Sequence, residues 1–467
     1  MPLIKSISGI RGTIGGIAGD NLTPLDVVKF AAAYGSWLQK VSDADTKLTV
    51  VIGRDGRVSG AIVKQLVTST LNSLGIDVID TDYSTTPTVE MAVVNLKAAG
   101  GIIITASHNP KEWNALKLLN SRGEFISDAE GKLILQFASQ EAFTFSKVEE
   151  LGRTLYNNDT LDEHITAIVN HPLVDVRLIG SAKFCIVADV INSTGAIALP
   201  RLFEAIGVTD FTLINGENTG LFEHNPEPLP ENLVVLGREV VRQNASLGIA
   251  VDPDVDRLCF VCEDGSMFGE EYTLVAVADY VLGKLGGNSV SNMSSTRALK
   301  DVTEKHGGQY FASAVGEVNV VNKMKEVNAK IGGEGNGGVI VPDLHYGRDA
   351  LIGIALFLTH LAAYGKGIKK LRGTYPDYFM SKNKIQLTKD IDAQAVFAKI
   401  KDKYKNQPIN AEDGLKIEFD TDWVHLRTSN TEPIIRIYAE SKMEHTANNI
   451  ATRLVKDIQD IIDNREF

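Results

Sequence analysis

Asp252, Asp254 and Asp256 stand directly after the apolar run Leu247–Val251, with Arg257 next. On an extended chain the i, i+2, i+4 spacing points all three carboxylates to one side, whereas a helix would spread them around its axis. Carboxylates that close repel one another, and converging oxygens are what a hard cation such as Mg²⁺ takes as ligands. A calcium loop of the EF-hand kind is excluded, because Arg257 occupies the position that needs glycine.

A second place follows the apolar strand 101–104: Thr105, Ala106, Ser107, His108, Asn109 and Pro110, with Asn114 and Lys117 close behind. A serine on a strand-to-loop turn is exposed, and His, Asn and Lys beside it can position an anion. The same residues also make an ordinary Ser/Asn turn closed by proline. The segment is not a Gly-x-Ser-x-Gly elbow, which gives a hydrolase triad little support. A third place is the glycine-rich stretch Gly332–Gly338, where Glu334 and Asn336 can hydrogen-bond sugar hydroxyls; its spacing does not fit a dinucleotide-binding fingerprint. A fourth is Arg427, Thr428, Ser429, Asn430 and Thr431 between two strands, one cation with hydroxyls and loop N–H groups suited to phosphate. Ser8–Gly12 reads as a flexible loop carrying one cation, Arg11.

These segments need elements to hold them. Apolar strands alternate with helical stretches in three series, starting at Leu48, Lys183 and Leu247. That alternation predicts mixed or parallel α/β units, with ligands beyond the carboxyl ends of the strands. The last hundred residues instead read as short strands flanked by helices at 392–404 and 445–463, a smaller α+β unit. A chain of 467 residues exceeds the roughly 250–300 residues over which one core grows, so several domains are expected. The boundaries read as 1–150, 151–247, 248–371 and 372–467.

Composition limits the function. With 44% hydrophobic and 23% charged residues the chain is ordinary for a globular protein. A net charge of −12 argues against nucleic acid as a partner, while a local Arg/Lys cluster can still take small anions. The start lacks a signal-peptide pattern and no stretch of 18 uncharged apolar residues occurs, so a cytoplasmic protein with no membrane partner is expected. Of three cysteines, Cys259 and Cys262 have C-x-x-C spacing but lie in an apolar run, which reads as a buried strand and not as a redox or zinc site.

Taken together and in this order, the five segments from Ser8 onward resemble the α-D-phosphohexomutase superfamily over nearly the whole chain. The resemblance implies three related mixed α/β domains plus a C-terminal TBP-like α+β domain around a central cleft. It implies an intramolecular phosphotransferase that interconverts hexose 6-phosphate and hexose 1-phosphate, as a monomer or homodimer. Ser107 matches the family's phosphoserine, and Asp252, Asp254 and Asp256 match ligands of one Mg²⁺ completed by the phosphoserine oxygen. Lys117, Arg257, Arg11 and His108 fall near the transferred phosphoryl group. Glu334 and Asn336 fall on the sugar loop, and Arg427, Ser429, Asn430 and Thr431 on the phosphate loop. A sugar 1,6-bisphosphate is the implied intermediate. Lys117 is the implied general base, its pKa depressed by burial beside Arg257. One departure stands out: many members end the sugar loop with His where this chain has Gly338, which leaves the second acid/base unassigned, with His345 nearby in sequence. The Gly-Glu-Gly-Asn-Gly-Gly form favours glucosamine phosphate, with glucose or mannose phosphates close behind. Two other classes compete: a phosphatase with Asp252 as nucleophile, and a non-catalytic sugar-phosphate binder, which would be expected to have lost Ser107 or an aspartate.

Overall fold

The computed structural model describes residues 3–6, 9–42, 47–388, 391–429 and 434–463, and among these the strands form four sheets. In the first sheet Thr49–Arg54 is an interior strand, parallel to Asp77–Tyr83 on one side and Gly100–Ile104 on the other. Trp113–Leu119 returns antiparallel beside Gly100–Ile104, and Gly9–Thr13 extends that edge. Strand alternation sends Val50, Ile52, Ile102 and Ile104 into a core with residues of the helices Pro24–Val41, Gly60–Ser73 and Asp128–Gln140. Val51 and Ile103 face the other way and pack on Val89, Ala92 and Val93 of Thr86–Asn95. A sheet covered on both faces explains why its strands read as continuous apolar runs.

The second sheet orders Leu258–Val261, Leu247–Val251, Cys185–Asp189 and Asp210–Ile214; the third orders Gly338–Ile340, Ile331–Glu334, Ser289–Asn292 and Tyr310–Ser313. Both repeat the four-strand pattern at the heart of the first: two parallel neighbours flank the opening strand, and the last strand folds back antiparallel. The three units are therefore related in topology, as expected.

Two expected boundaries are corrected. Leu247–Val251 does not open the third unit; it pairs in parallel with Cys185–Asp189 and belongs to the second. Thr154–Tyr156 pairs with Asp77–Tyr83, so the first unit runs past residue 150. Helix–strand alternation cannot tell which sheet a strand joins, because the partner lies about 60 residues away in the first case. Arg11 is corrected as well: it lies in the strand Gly9–Thr13, hydrogen-bonded against Trp113–Leu119, and not in a flexible loop. Gly9, at φ +111°, lies so near the Leu116 carbonyl that no Cβ fits. The glycines there mark close packing.

The second and third units share one apolar core through the helix Ala350–Tyr364, buried along nearly all its length. The C-terminal unit is an antiparallel sheet, in order Phe379–Gln386, Ile434–Ser441, Trp423–Thr428, Leu415–Glu418 and Ile409–Asn410, packed on Ala393–Lys403 and Glu444–Asp463. Cys259 and Cys262 are buried at the strand Leu258–Val261, as read from the sequence. Among the described residues no helix is long and apolar enough to cross a membrane.

Candidate active site

The fold places three chemically different turns at equivalent points. Each joins the third strand of its unit to the antiparallel fourth: residues 105–112, 252–257 and 335–337. These are the serine, aspartate and sugar segments read from the sequence.

The serine turn is held from beneath by Arg57, which is fully buried. Its Nε donates to Asp55 Oδ2 at 2.9 Å, Nη1 to the carbonyls of Pro110 (2.6 Å) and Trp113 (2.9 Å), and Nη2 to those of Ser107 and Asn109 (2.6 Å each). Asp55 also accepts from Thr105 Oγ1 at 2.7 Å, and Thr105 Oγ1 accepts the Ser107 N–H at 2.9 Å. So clamped, Ser107 sits at φ +48°, a left-handed conformation that costs a non-glycine residue about 1–3 kcal/mol. Its Oγ points at Asp252 Oδ2, 2.8 Å away.

The aspartate turn is buried and equally fixed. Asp252 Oδ1 accepts the N–H groups of Asp256 and Arg257 at 3.1 and 3.0 Å. The Pro253 carbonyl accepts from Ser193 Oγ and Thr194 Oγ1, and the Asp254 carbonyl from the Thr86 N–H. Ligand atoms of Asp252, Asp254 and Asp256 lie within 4.8 Å of one another. Asp254 Oδ2 is bonded by Thr86 Oγ1 (2.6 Å) and Lys117 Nζ (2.7 Å), and Asp256 Oδ2 by Lys117 Nζ (3.2 Å) and Arg348 Nη2 (2.7 Å). Asp254 Oδ1 and Asp256 Oδ1 are buried with no hydrogen-bond partner among the described residues. Burial, with Asp256 and Asp254 adding repulsion, pushes Asp252 well above the usual carboxylate range. Hard oxygen donors without protein partners, in a trio that cannot carry its full charge alone, fit a divalent cation.

The cations around this centre behave individually. Burial would lower Lys117, but Asp254 and Asp256 outweigh it and raise its pKa, so the expected depression is corrected: its direct neighbours are the carboxylates. Arg11 donates to Asn109 Oδ1 at 2.8 Å, and burial and Arg257 bring it down to about 10. Arg257 pairs with Glu227 at 3.1 Å. His108 Nδ1 lies 3.5 Å from Ser107 Oγ; burial, Arg257 and Arg11 keep its pKa well below the usual value, so it is neutral at pH 7.

Glu334 Oε1 accepts from Asn292 Nδ2 (2.8 Å) and the Gly316 N–H (3.2 Å), while Oε2 is paired with Arg348. Asn336 caps its own turn, accepting the Gly338 N–H at 3.2 Å. Arg427 stands opposite Arg436 in the C-terminal sheet, a like-charge pair suited to an anion; burial lowers Arg427, Asp413 opposes this and Arg436 adds to it. The Ser429 N–H bonds the Ile434 carbonyl. Ser8, Asn430 and Thr431 lie outside the described residues.

The structure thus gathers Ser107, the three aspartates, Lys117, Arg257, Arg11 and His108, with Glu334 tied to the group through Arg348. Sequence reasoning missed Arg348, Thr86, Glu317 and the Asp55–Arg57 clamp. The clamp had a signal: charged residues directly past the apolar strand Thr49–Arg54, the same position that flagged the other turns. Also missed was a buried chain in which Asp349 Oδ2 meets His164 Nε2 (2.9 Å) and His345 Nε2 (3.2 Å), and His345 Nδ1 meets Glu90 (3.3 Å). Burial opposes a charged His345, but Asp349 and Glu90 outweigh it and raise its pKa to about 10, making it a link between units.

A serine aimed into a carboxylate cluster, ringed by cations and followed by a glycine-rich turn and a two-arginine sheet, defines a phosphosugar mutase built of four domains. The chain belongs to the phosphoglucomutase/phosphomannomutase family and is a phosphohexomutase. Its α/β/α domain I matches residues 4–145, domain II 162–265, domain III 269–378 and the C-terminal domain 384–457. The phosphoglucomutase/phosphomannomutase of Thermococcus kodakarensis is 35% identical, covering 97% of this chain and 98% of the relative. The phosphoglucosamine/phosphogalactosamine mutase of Sulfurisphaera tokodaii is 32% identical over 97% of this chain and 98% of its own. A crystal structure of a phosphoglucomutase/phosphomannomutase family protein from Burkholderia thailandensis superposes with a TM-score of 0.83 at 25% identity, covering 98% of this chain and 97% of the other.

Proposed function

We propose that the chain carries its phosphoryl group on Ser107 and moves it between the 6- and 1-positions of a hexose through a sugar 1,6-bisphosphate, with glucosamine phosphate preferred. The observation that carries this is the hydroxyl of Ser107, whose backbone is left-handed, held 2.8 Å from Asp252 beside carboxylate oxygens that no described donor satisfies. Asp252, Asp254 and Asp256 would hold one Mg²⁺, which supplies Lewis-acid stabilisation of the transferring phosphate. Arg257, Arg11 and Lys117 surround the same space and neutralise charge on the phosphoryl oxygens. Lys117, kept charged by Asp254 and Asp256, acts in this reading as a cation and not as the general base expected from the sequence. Glu334 and Asn336 orient the sugar, and Arg427 with Ser429, Asn430 and Thr431 holds the phosphate that is not reacting. The glucosamine preference rests on the Gly-Glu-Gly-Asn-Gly-Gly sugar loop and on relatives that act on amino sugars. The chain is read as a cytoplasmic monomer or homodimer.

Incubation with glucose 1,6-bisphosphate, then intact-mass measurement and peptide mapping, tests the assignment. Phosphate on Ser107 is the expected result; no adduct, or one on Asp252, overturns it. Comparing kcat/KM for glucosamine, glucose and mannose phosphates tests the preference, and a higher value for glucose or mannose overturns that part.

A further inference from the structure

Arg348 joins parts of the site that no other described side chain links directly. Nη2 lies 2.7 Å from Asp256 Oδ2 in the aspartate turn, and Nη1 2.9 Å from Glu334 Oε2 in the sugar loop. Nε lies 3.0 Å from Glu317 Oε2, at the start of the helix Glu317–Glu326. The guanidinium is buried, and although burial opposes its charge, Asp256, Glu317 and Glu334 outweigh that and raise its pKa. One planar fork therefore meets three carboxylates at once, which a lysine ammonium on a flexible stem cannot reproduce.

The path of this side chain is built in at both ends. The Arg348 N–H donates to Glu317 Oε1 at 3.2 Å. The next residue, Asp349, caps the helix Ala350–Tyr364 by accepting the N–H groups of Leu351 and Ile352, and is itself held by His164 and His345. At the other end the aliphatic stem crosses Gly338: a Cβ on that residue would collide with Arg348 Cδ and crowd Cγ. Gly338 has no need of glycine for its backbone angle, since it is not among the positive-φ residues. What it provides is room for Arg348.

We propose that Arg348 is a positioning residue for phosphoryl transfer, holding the sugar loop in register with the aspartate turn, and that Gly338 is there to admit it. It occupies Asp256 Oδ2 and leaves Oδ1 buried with no hydrogen-bond partner among the described residues. It also fixes the orientation of Glu334, whose other oxygen is taken by Asn292 and Gly316. The assignment rests on the reading that Ser107 and the aspartates are the transfer centre.

The test compares wild type, R348K and G338A as full chains. R348K keeps a cation but loses the three-way bridge; G338A keeps Arg348 but displaces it. In both, kcat/KM for the sugar phosphate per folded molecule is expected to fall on the order of 100-fold. Mn²⁺ affinity of R348K, read by electron paramagnetic resonance without substrate, is expected to stay within about threefold, because the charge remains. Wild-type kcat/KM in either variant overturns the proposal. So does a loss that tracks only the folded fraction, with kcat and KM per folded molecule unchanged. A collapse of Mn²⁺ binding in R348K also overturns it, by placing the effect on the metal site and not on the sugar loop. Ser107 phosphorylation of the wild type is measured separately, so failure of the underlying reading is distinguishable from failure of this one.

Discussion

Replacing Arg57 by lysine probes how Ser107 is held. Arg57 donates to Asp55 and to the carbonyls of Pro110, Trp113, Ser107 and Asn109, and a lysine has three donors for these five acceptors. At least two of these acceptors then lose a charge-assisted bond worth about 1.5–3 kcal/mol each, roughly 3–6 kcal/mol in all. That equals or exceeds the ~1–3 kcal/mol needed to keep Ser107 in its left-handed conformation, so the turn is expected to relax and carry the hydroxyl away from Asp252. Phosphoryl transfer depends on alignment, and a displacement of about 1 Å costs on the order of 10²-fold. Arg57→Lys is therefore expected to lower both kcat and the rate of Ser107 labelling by glucose 1,6-bisphosphate by about that factor. Circular dichroism should still report a folded chain, since the clamp lies at the end of the sheet and outside its apolar core. A folded Arg57→Lys protein with wild-type kcat and labelling rate would refute the clamp.

Asp254→Asn keeps an acceptor for Thr86 but removes a carboxylate from the trio, and Mg²⁺-dependent turnover is expected to fall by on the order of 10²–10³-fold with the fold intact. Steady-state kinetics across a Mg²⁺ titration checks this, and retained activity would show that the trio is not the metal site. Lys416, in the C-terminal unit, is buried against the Met293 carbonyl of the third unit and over the Trp423 ring, and burial lowers its pKa to about 8. Because the folded pKa lies below the unfolded value of about 10.4, the unfolded chain binds the extra proton between those values, and stability contributed by this group rises with pH across that window. Wild type is expected to gain roughly 2–3 kcal/mol relative to Lys416→Met between pH 7 and 10 in denaturant titrations, and a pH-independent difference would contradict a depressed Lys416.

Much of the site was legible because strand ends are easy to recognise. Asp252–Arg257, Thr105–Pro110 and Gly332–Gly338 are polar or glycine-rich interruptions of apolar runs, and each proved to be a hairpin turn at the same point of its unit. What sequence could not supply was pairing over long separations. Lys117 looked like a lysine beside Arg257; its ionisation is governed by Asp254 and Asp256, more than 130 residues away in the chain. Leu247–Val251 looked like an opening strand because its partner Cys185–Asp189 lies beyond two intervening helices, a strand and a loop. Arg348 carried no signal, standing in a loop with no periodicity, and only the collision at Gly338 reveals its path.

The repeated hairpin also accounts for units that share topology without sharing residues. A strand pair with an antiparallel return presents its turn beyond the sheet, so the same fold can offer a nucleophile, a set of metal ligands or sugar contacts according to the turn residues alone. Three such turns become one site only where side chains cross between units. Ser107 of the first meets Asp252 of the second. Thr86 and Lys117 of the first hold Asp254 of the second. Arg348 of the third bridges Asp256 to Glu334. The crossings pair buried charges and hydroxyls of one unit with those of another, and a buried carboxylate left unpaired costs several kcal/mol. Packing of the units and assembly of the centre are thus the same event. Asp252, His108 and Arg348, whose pKa values burial and neighbouring charges displace strongly, stand at the junctions between units.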